Sequence, residues 1–165
     1  MMRQLLVPLL FCLLASSSLF ATDTKARSYV KEYYASGQLK AEGWMESNQK
    51  TDYWIYYYTN GVIASKGHFS DDLRNGYWYF YTNDGHLKKE GHFVLNRAEN
   101  WWIFYEIGNA IKSKFQYHND QKHGFALCYR NNKLIKAEKY HKDQKMGEWD
   151  NLREFKRDNP QASLR

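Results

Sequence analysis

The chain has 165 residues, 24 Lys and Arg against 18 Asp and Glu, a formal net charge of +6, and aromatic side chains at 18% of positions. That length fits one domain once a leader is set aside, and the modest basic excess is what a lysine-rich solvated surface carries, with anionic polymers or membrane faces as the partners it would favour. Of two cysteines, Cys12 falls in the leader, so Cys128 stands alone, an intrachain disulfide is excluded, and the fold must hold by packing.

Residues 1–21 read as a signal peptide. Arg3 gives a short positive start, Leu5 to Leu14 an apolar run, and Ser16, Ser17, Ser18 and Ala21 the small residues of a cleavage site. Pro8 and the three serines leave this run short of the roughly 20 apolar residues that span a bilayer. Cleavage after Ala21 removes Arg3 and no acidic residue, taking +6 to +5, and predicts a periplasmic or extracellular location in which nucleic acid is not a partner. Residues 22–28 read as a linker.

From 29 to 149 the chain repeats every 24 residues. Asn60-Gly61, Asp84-Gly85 and Gly108-Asn109 share one phase, preceded by Ser36-Gly37; Trp54, Trp78 and Trp102 share a second; Gly43, Gly67 and Gly91 a third; Gly76, Asn100 and Gly124 a fourth. A fixed period of this size marks a stacked array in which each unit buries its apolar side against its neighbours. The units run 29–52, 53–76, 77–100, 101–124 and 125–147, with a partial strand to 149.

Within a unit, an aromatic β-prone run such as Tyr53 to Tyr58 precedes Asn60-Gly61, and a more polar run follows. This predicts a hairpin closed by a two-residue type I′ turn, with Ser70 to Gly76 as a connector. The expected fold is all-β, an elongated single-layer antiparallel meander of about five stacked β-hairpin repeats and about ten strands. A two-residue turn pairs Tyr58 with Ile63, Tyr56 with Ser65, Trp54 with Gly67 and Trp78 with Gly91, which predicts a glycine beneath each indole. The predicted core face stacks the tryptophans, then Tyr56, Phe80 and Phe104, then Leu39, Ile63, Leu87, Ile111 and Leu134, then Met45, Phe69, Phe93, Tyr117 and Tyr140.

The opposite face carries Tyr53, Ile55 and Tyr57, then Tyr77, Tyr79 and Tyr81, then Trp101, Ile103 and Tyr105, with Lys66, His68, Glu90 and His92 from the second strands and Lys88 near. Contiguous exposed aromatic area marks binding. Cross-strand tyrosine ladders also stabilise a thin sheet that has no second layer. Both readings stand on the same residues. The candidate interaction face is therefore Tyr53, Tyr57, Tyr77, Tyr79, Tyr81, Trp101, Tyr105, Lys66, His68 and His92.

The last unit departs from the pattern, with Ala126 in the tryptophan column and Cys128 in the Tyr/Phe column, as terminal repeats facing water do. The tail 150–165 is charged, and Leu152 and Phe155 predict a short helical turn docking on the sheet end.

The run Gly76-Tyr-Trp78-Tyr-Phe-Tyr81-Thr-Asn-Asp-Gly85-His-Leu87-Lys-Lys-Glu-Gly91-His-Phe93 resembles the MORN-repeat variant of many bacterial proteins, over about residues 29–149. Val30 replaces the first tryptophan and Phe115 the fourth glycine. The resemblance implies a hairpin array with a role in protein or membrane contact, and it implies no catalytic residue.

The residues themselves point the same way. No nucleophile elbow and no phosphate-cradling glycine loop occurs, and Asp71-Asp72, Glu90, Glu99 and Glu106 fall in different phases of the repeat. His68 and His92 lie one unit apart, roughly 10 Å by strand spacing, too far to share an ion. His118, His123 and His141 read as falling in or near connecting loops. The expectation is a non-enzymatic protein with no cofactor and no metal. Its partner is a second protein, or alternatively an envelope polysaccharide or anionic lipid surface met by aromatic platforms and Lys66, Lys88, Lys89 and Lys112; its oligomeric state is left open.

Overall fold

The computed structural model describes residues 26–106, 108 and 110–162; the signal peptide expected over 1–21 lies outside them. Eleven strands follow in chain order: β1 (Arg27–Tyr33), β2 (Leu39–Glu46), β3 (Gln49–Tyr57), β4 (Ile63–Ser70), β5 (Leu73–Tyr81), β6 (Leu87–Val94), β7 (Arg97–Glu106), β8 (Ile111–His118), β9 (Gln121–Arg130), β10 (Lys133–His141) and β11 (Gln144–Trp149), then helix α1 (Leu152–Asp158). They form one antiparallel sheet in the order β1 to β11, each strand paired with the next. The all-β meander is as the period predicts, with eleven strands rather than about ten.

The turns are distributed differently from expectation. At Asn60-Gly61 only Gly61 takes positive φ, at 82°. The Gly61 N–H donates to Tyr58 O and the Tyr58 N–H to Val62 O, at 2.9 and 2.8 Å, so the loop is the three residues Thr59-Asn60-Gly61. Pairing near the turn slips by one, Tyr57 meeting Ile63, and a bulge restores Tyr56 to Ser65 and Trp54 to Gly67. Tyr81 with Leu87 and Tyr33 with Leu39 repeat the slip. Leu39, Ile63 and Leu87 therefore stand across from tyrosines of the other face and leave the predicted core column.

Two-residue turns with both central φ positive sit instead at the segments read as connectors, Ser47-Asn48, Asp71-Asp72, Leu95-Asn96, Asn119-Asp120 and Lys142-Asp143; in the hairpin phase one such turn occurs, at Asn131-Asn132 of the last unit. Asn and Asp tolerate that conformation better than other side chains. Turns of this series also clasp the start of the strand that follows the preceding turn, along the sheet border. The Asp72 N–H donates to Lys50 O while its carboxylate accepts the Lys50 N–H, at 3.0 and 2.7 Å. Asn96 with Arg74, Asp120 with Ala98 and Asp143 with Lys122 repeat the exchange.

The core is one side chain deep and lies on one face. A row running across the strands alternates Gly43, Trp54, Gly67, Trp78 and Gly91, and reaches Trp102. Each indole lies over the glycine of the preceding hairpin: a Cβ on Gly43, Gly67 or Gly91 would sit 2.4, 2.4 or 2.2 Å from a ring atom of Trp54, Trp78 or Trp102. Glycine is required there for close approach, although the predicted partner was the glycine that follows. Asp52, Gly76, Asn100 and Gly124 bulge the odd strands with positive φ, and the register steps past Trp44, His68 and His92 beside them. The carbonyls of those three residues accept the Trp54, Trp78 and Trp102 indole N–H at 2.8, 3.0 and 3.2 Å.

Four rings box each central indole. Trp78 has Tyr56, Phe69, Phe80 and Phe93 at centroid distances of 5.1 to 6.4 Å, with Phe69 and Phe93 edge-on. A cation closes the outside: Lys50 Nζ lies 4.2 Å from the Trp54 centroid and the Arg74 guanidinium 4.9 Å from that of Trp78. Trp54 and Trp78 are 0% exposed, in a sheet with no second layer over this face among the described residues.

The last strands exchange this aromatic packing for charge. Glu138 and Glu148 continue the tryptophan row, and Lys136 and Lys145 bridge both at 2.5 to 3.1 Å. A charged end suits the water-facing terminus of an array. The predicted tail helix forms as α1, capped by the Asn151 side chain on the Glu154 N–H. It covers the face opposite the indoles rather than the sheet edge: Phe155, 0% exposed, packs with Leu127 and Ala137, beside Trp101, Phe125 and Trp149.

Candidate interaction face

The predicted outer face is a real surface with its own cross-strand order. Its central row pairs Lys31, Glu42, Ile55, Lys66, Tyr79, Glu90 and Ile103 in turn, then Lys114, Leu127, Ala137 and Trp149. One 24-residue column within it alternates in sign: Glu42, Lys66, Glu90, Lys114. The tyrosines are arranged around these charges.

Each glutamate is held by phenols. The Tyr57 hydroxyl donates to Glu42 at 2.6 Å and the Tyr105 hydroxyl to Glu90 at 2.5 Å. The hydrogen bond from Tyr57 holds the Glu42 carboxyl below the usual range. Burial, and then Glu42, push the Tyr57 phenol up to about 12. Burial followed by the charge of Glu90 does the same for Tyr77, also to about 12, and burial followed by the hydrogen bond to Glu90 raises Tyr105. Each lysine lies over rings: Lys66 is 5.7 and 5.6 Å from the Tyr79 and Tyr81 centroids, and Lys114 is 5.0 Å from Trp101. Burial lowers the Lys114 ammonium, with Lys112 adding to it.

Nearer the tight turns, Tyr53 pairs with His68, the rings edge-on at 4.9 Å, and Tyr77 pairs with His92. Tyr77 also leans on Tyr79 at 5.1 Å and is 38% exposed, with Tyr29 and Tyr33 further exposed toward β1. Tyr53, Tyr57, Tyr77, Tyr79, Tyr81, Tyr105, Lys66, His68 and His92 thus share one continuous field over β3 to β7. Trp101 is separated from it in use, because it belongs to the cluster under α1.

Three features escaped the sequence reading. The alternation of Glu42, Lys66, Glu90 and Lys114 was visible at the known period but goes unnoticed when only aromatic columns are followed. The cover of α1 had a signal in Phe155, but not its side of the sheet. The third is a histidine row: His118, His123 and His141 lie in β8, β9 and β10 rather than in loops, with ring centroids 6.0 and 4.8 Å apart and the His118 Nδ1 3.1 Å from Glu99. Register brings them together across strands that sequence separates. Among the described residues no group of three His, Cys, Asp or Glu side chains is arranged to hold a metal ion.

Lys66, Lys88, Lys89 and Lys112, named together for a polymer or lipid surface, divide between faces. Lys66 and Lys112 lie over Tyr79 and Tyr129, while Lys89 lies over Phe80 and Trp102 on the indole side. No protein-family model and no curated protein matches the chain.

Proposed function

We propose that the chain is an exported, non-catalytic, MORN-like repeat protein that binds another protein through the tyrosine field of its outer face. One observation carries this reading. The chain covers the C-terminal third of that face with its own helix, inserting Phe155 among apolar and aromatic side chains, while among the described residues the tyrosine stretch from β3 to β7 has no such cover. The uncovered stretch presents rigid rings with hydroxyl tips, the amphipathic contact area that interfaces favour. Its glutamates and lysines already have partners within the face, which suits a protein surface better than a polyanion. An anionic lipid or polymer wants free lysines on one side, and here they are split between two.

The experiment places a photocrosslinking residue at Tyr77, and as control at Leu95 on the turn border, in the full-length chain in its own cell envelope. The reading expects one reproducible protein adduct from position 77, lost when Tyr79 and Tyr81 are both changed to serine in a chain whose circular dichroism stays β-rich. A folded chain that yields no adduct, or one undiminished by the serines, would overturn it.

A further inference from the structure

We infer that the recess over Trp102 is a binding site for the guanidinium of an arginine side chain presented by a partner chain. The motivation is internal to the repeat. Positions 50, 74, 98 and 122 form one column, and three of them hold cations laid over rings: Lys50 over Trp54 at 4.2 Å, Arg74 over Trp78 at 4.9 Å, and Lys122 over Phe115 at 4.5 Å. The fourth is Ala98. Trp102 beneath it keeps the same box of rings, with Phe93 at 4.8 Å and Phe80, Phe104 and Tyr117 at 6.1 to 6.5 Å. Without a long side chain at 98 a recess of about 220 Å³ remains, lined by Lys89, Phe93, Ala98, Trp102, Phe104, Tyr117 and Asp120. It lies below the roughly 300 Å³ at which sites for drug-sized molecules begin, and matches a single side chain.

The chemistry of the lining selects the occupant. Aromatic faces attract a cation, and the chain's own Arg74 shows the pose, its guanidinium within 5.9 Å of three ring centroids. A guanidinium is planar, more weakly hydrated than an ammonium, and stacks on rings. The Asp120 carboxylate at the rim accepts the Ala98 N–H with one oxygen at 2.7 Å, and its other oxygen makes no hydrogen bond among the described residues. That oxygen is placed to receive an N–H of the incoming fork. Lys89 is the internal competitor. Its column is otherwise small (Ala41, Ser65, Ser113), and its Nζ reaches to 5.5 Å from the Trp102 centroid, a longer approach than Lys50 or Arg74 makes.

The test follows the indole N–H resonances of the ¹⁵N-labelled full-length chain while N-acetyl-arginine amide is added, with the citrulline and lysine analogues as comparisons. Trp54 and Trp78, already capped, are the internal controls. The site predicts a saturable shift at Trp102 alone, absent with the neutral citrulline analogue. Ala98→Arg should abolish it while raising the melting temperature, since the recess is then filled as in the preceding unit. Lys89→Ser should tighten binding about threefold by removing the competing cation. No saturable shift at Trp102 in either the native chain or Lys89→Ser would overturn the proposal, as would an equal response to citrulline; a lysine analogue binding as tightly would overturn the choice of guanidinium. The site lies on the face opposite the tyrosines, so its failure leaves crosslinking from position 77 unaffected, and the two readings fall separately.

Discussion

Trp78 and Gly67 form a single device although 11 residues separate them. The ring fills the space that a Cβ would take, and its N–H closes the carbonyl that the bulge at Gly76 leaves open at His68. Gly67→Ala should therefore cost about 3 kcal/mol, the upper end for overpacking, because the nearest atoms belong to a ring wedged among four others. Trp78→Ala should cost roughly 3–5 kcal/mol. In the Trp78→Ala background the glycine substitution should cost almost nothing, and a urea-denaturation cycle over the four proteins measures that coupling. Additive losses would show that ring and glycine act independently. Both columns were legible from spacing alone; which glycine served which tryptophan was not, because the bulge changes how far each strand advances.

The phenols of the outer face set a second expectation at this scale. Tyr57 and Tyr77 titrate near 12 in the fold against an ordinary 10, so the folded chain holds their protons more tightly than the unfolded one. Their contribution is complete below pH about 10 and is lost as pH rises toward 12. Urea midpoints should fall across that window, with tyrosinate absorbance appearing alongside. Tyr57→Phe should flatten the slope and let the Glu42 carboxyl return upward.

At the scale of elements, the informative case is the hairpin. Asn60-Gly61 is the strongest short-range signal for a type I′ turn, yet the chain uses three residues there and places its two-residue turns at pairs such as Asp71-Asp72. Nothing local distinguishes the choices. The clasp from Asp72 reaches Lys50 at the start of β3, 22 residues earlier, and that exchange selects the turn that carries Asp72. The faces of most strands were legible because alternation survives beyond the bulge, whereas Ile63 and Leu87 changed sides within it. Helix α1 belongs at this scale too. Phe155→Ala should cost roughly 3 kcal/mol locally, raising amide exchange in β10 and β11 about a hundredfold and leaving β3 to β6 unchanged. Equal loss of protection in all strands would show instead that the sheet opens as one body.

At the scale of the molecule, contacts are local: among the described residues every strand pairs only with the next, side chains reach one strand further as Tyr56 does to Trp78, and α1 packs on β9, β10 and β11. Ten spacings of roughly 4.8 Å make a sheet about 48 Å long. Such an array should tolerate removal of a whole period. Deleting residues 77–100 joins Gly76 to Trp101 in phase, and the shortened chain should keep its β spectrum with a lower melting temperature and a correspondingly smaller radius of gyration by X-ray scattering. Loss of folding would mean that the units are not interchangeable.

The indole hydrogen bonds of Trp54, Trp78 and Trp102 all point one way, from a later residue to a carbonyl ten positions earlier. For these three latches, a polypeptide made from its amino terminus does not wait for unsynthesised sequence. Each newly finished segment latches backward onto a completed neighbour, like a zip fastened in the order of translation. A chain drawn out carboxyl end first, as by a processive unfoldase, would meet these latches in reverse, each period yielding before the one beneath it.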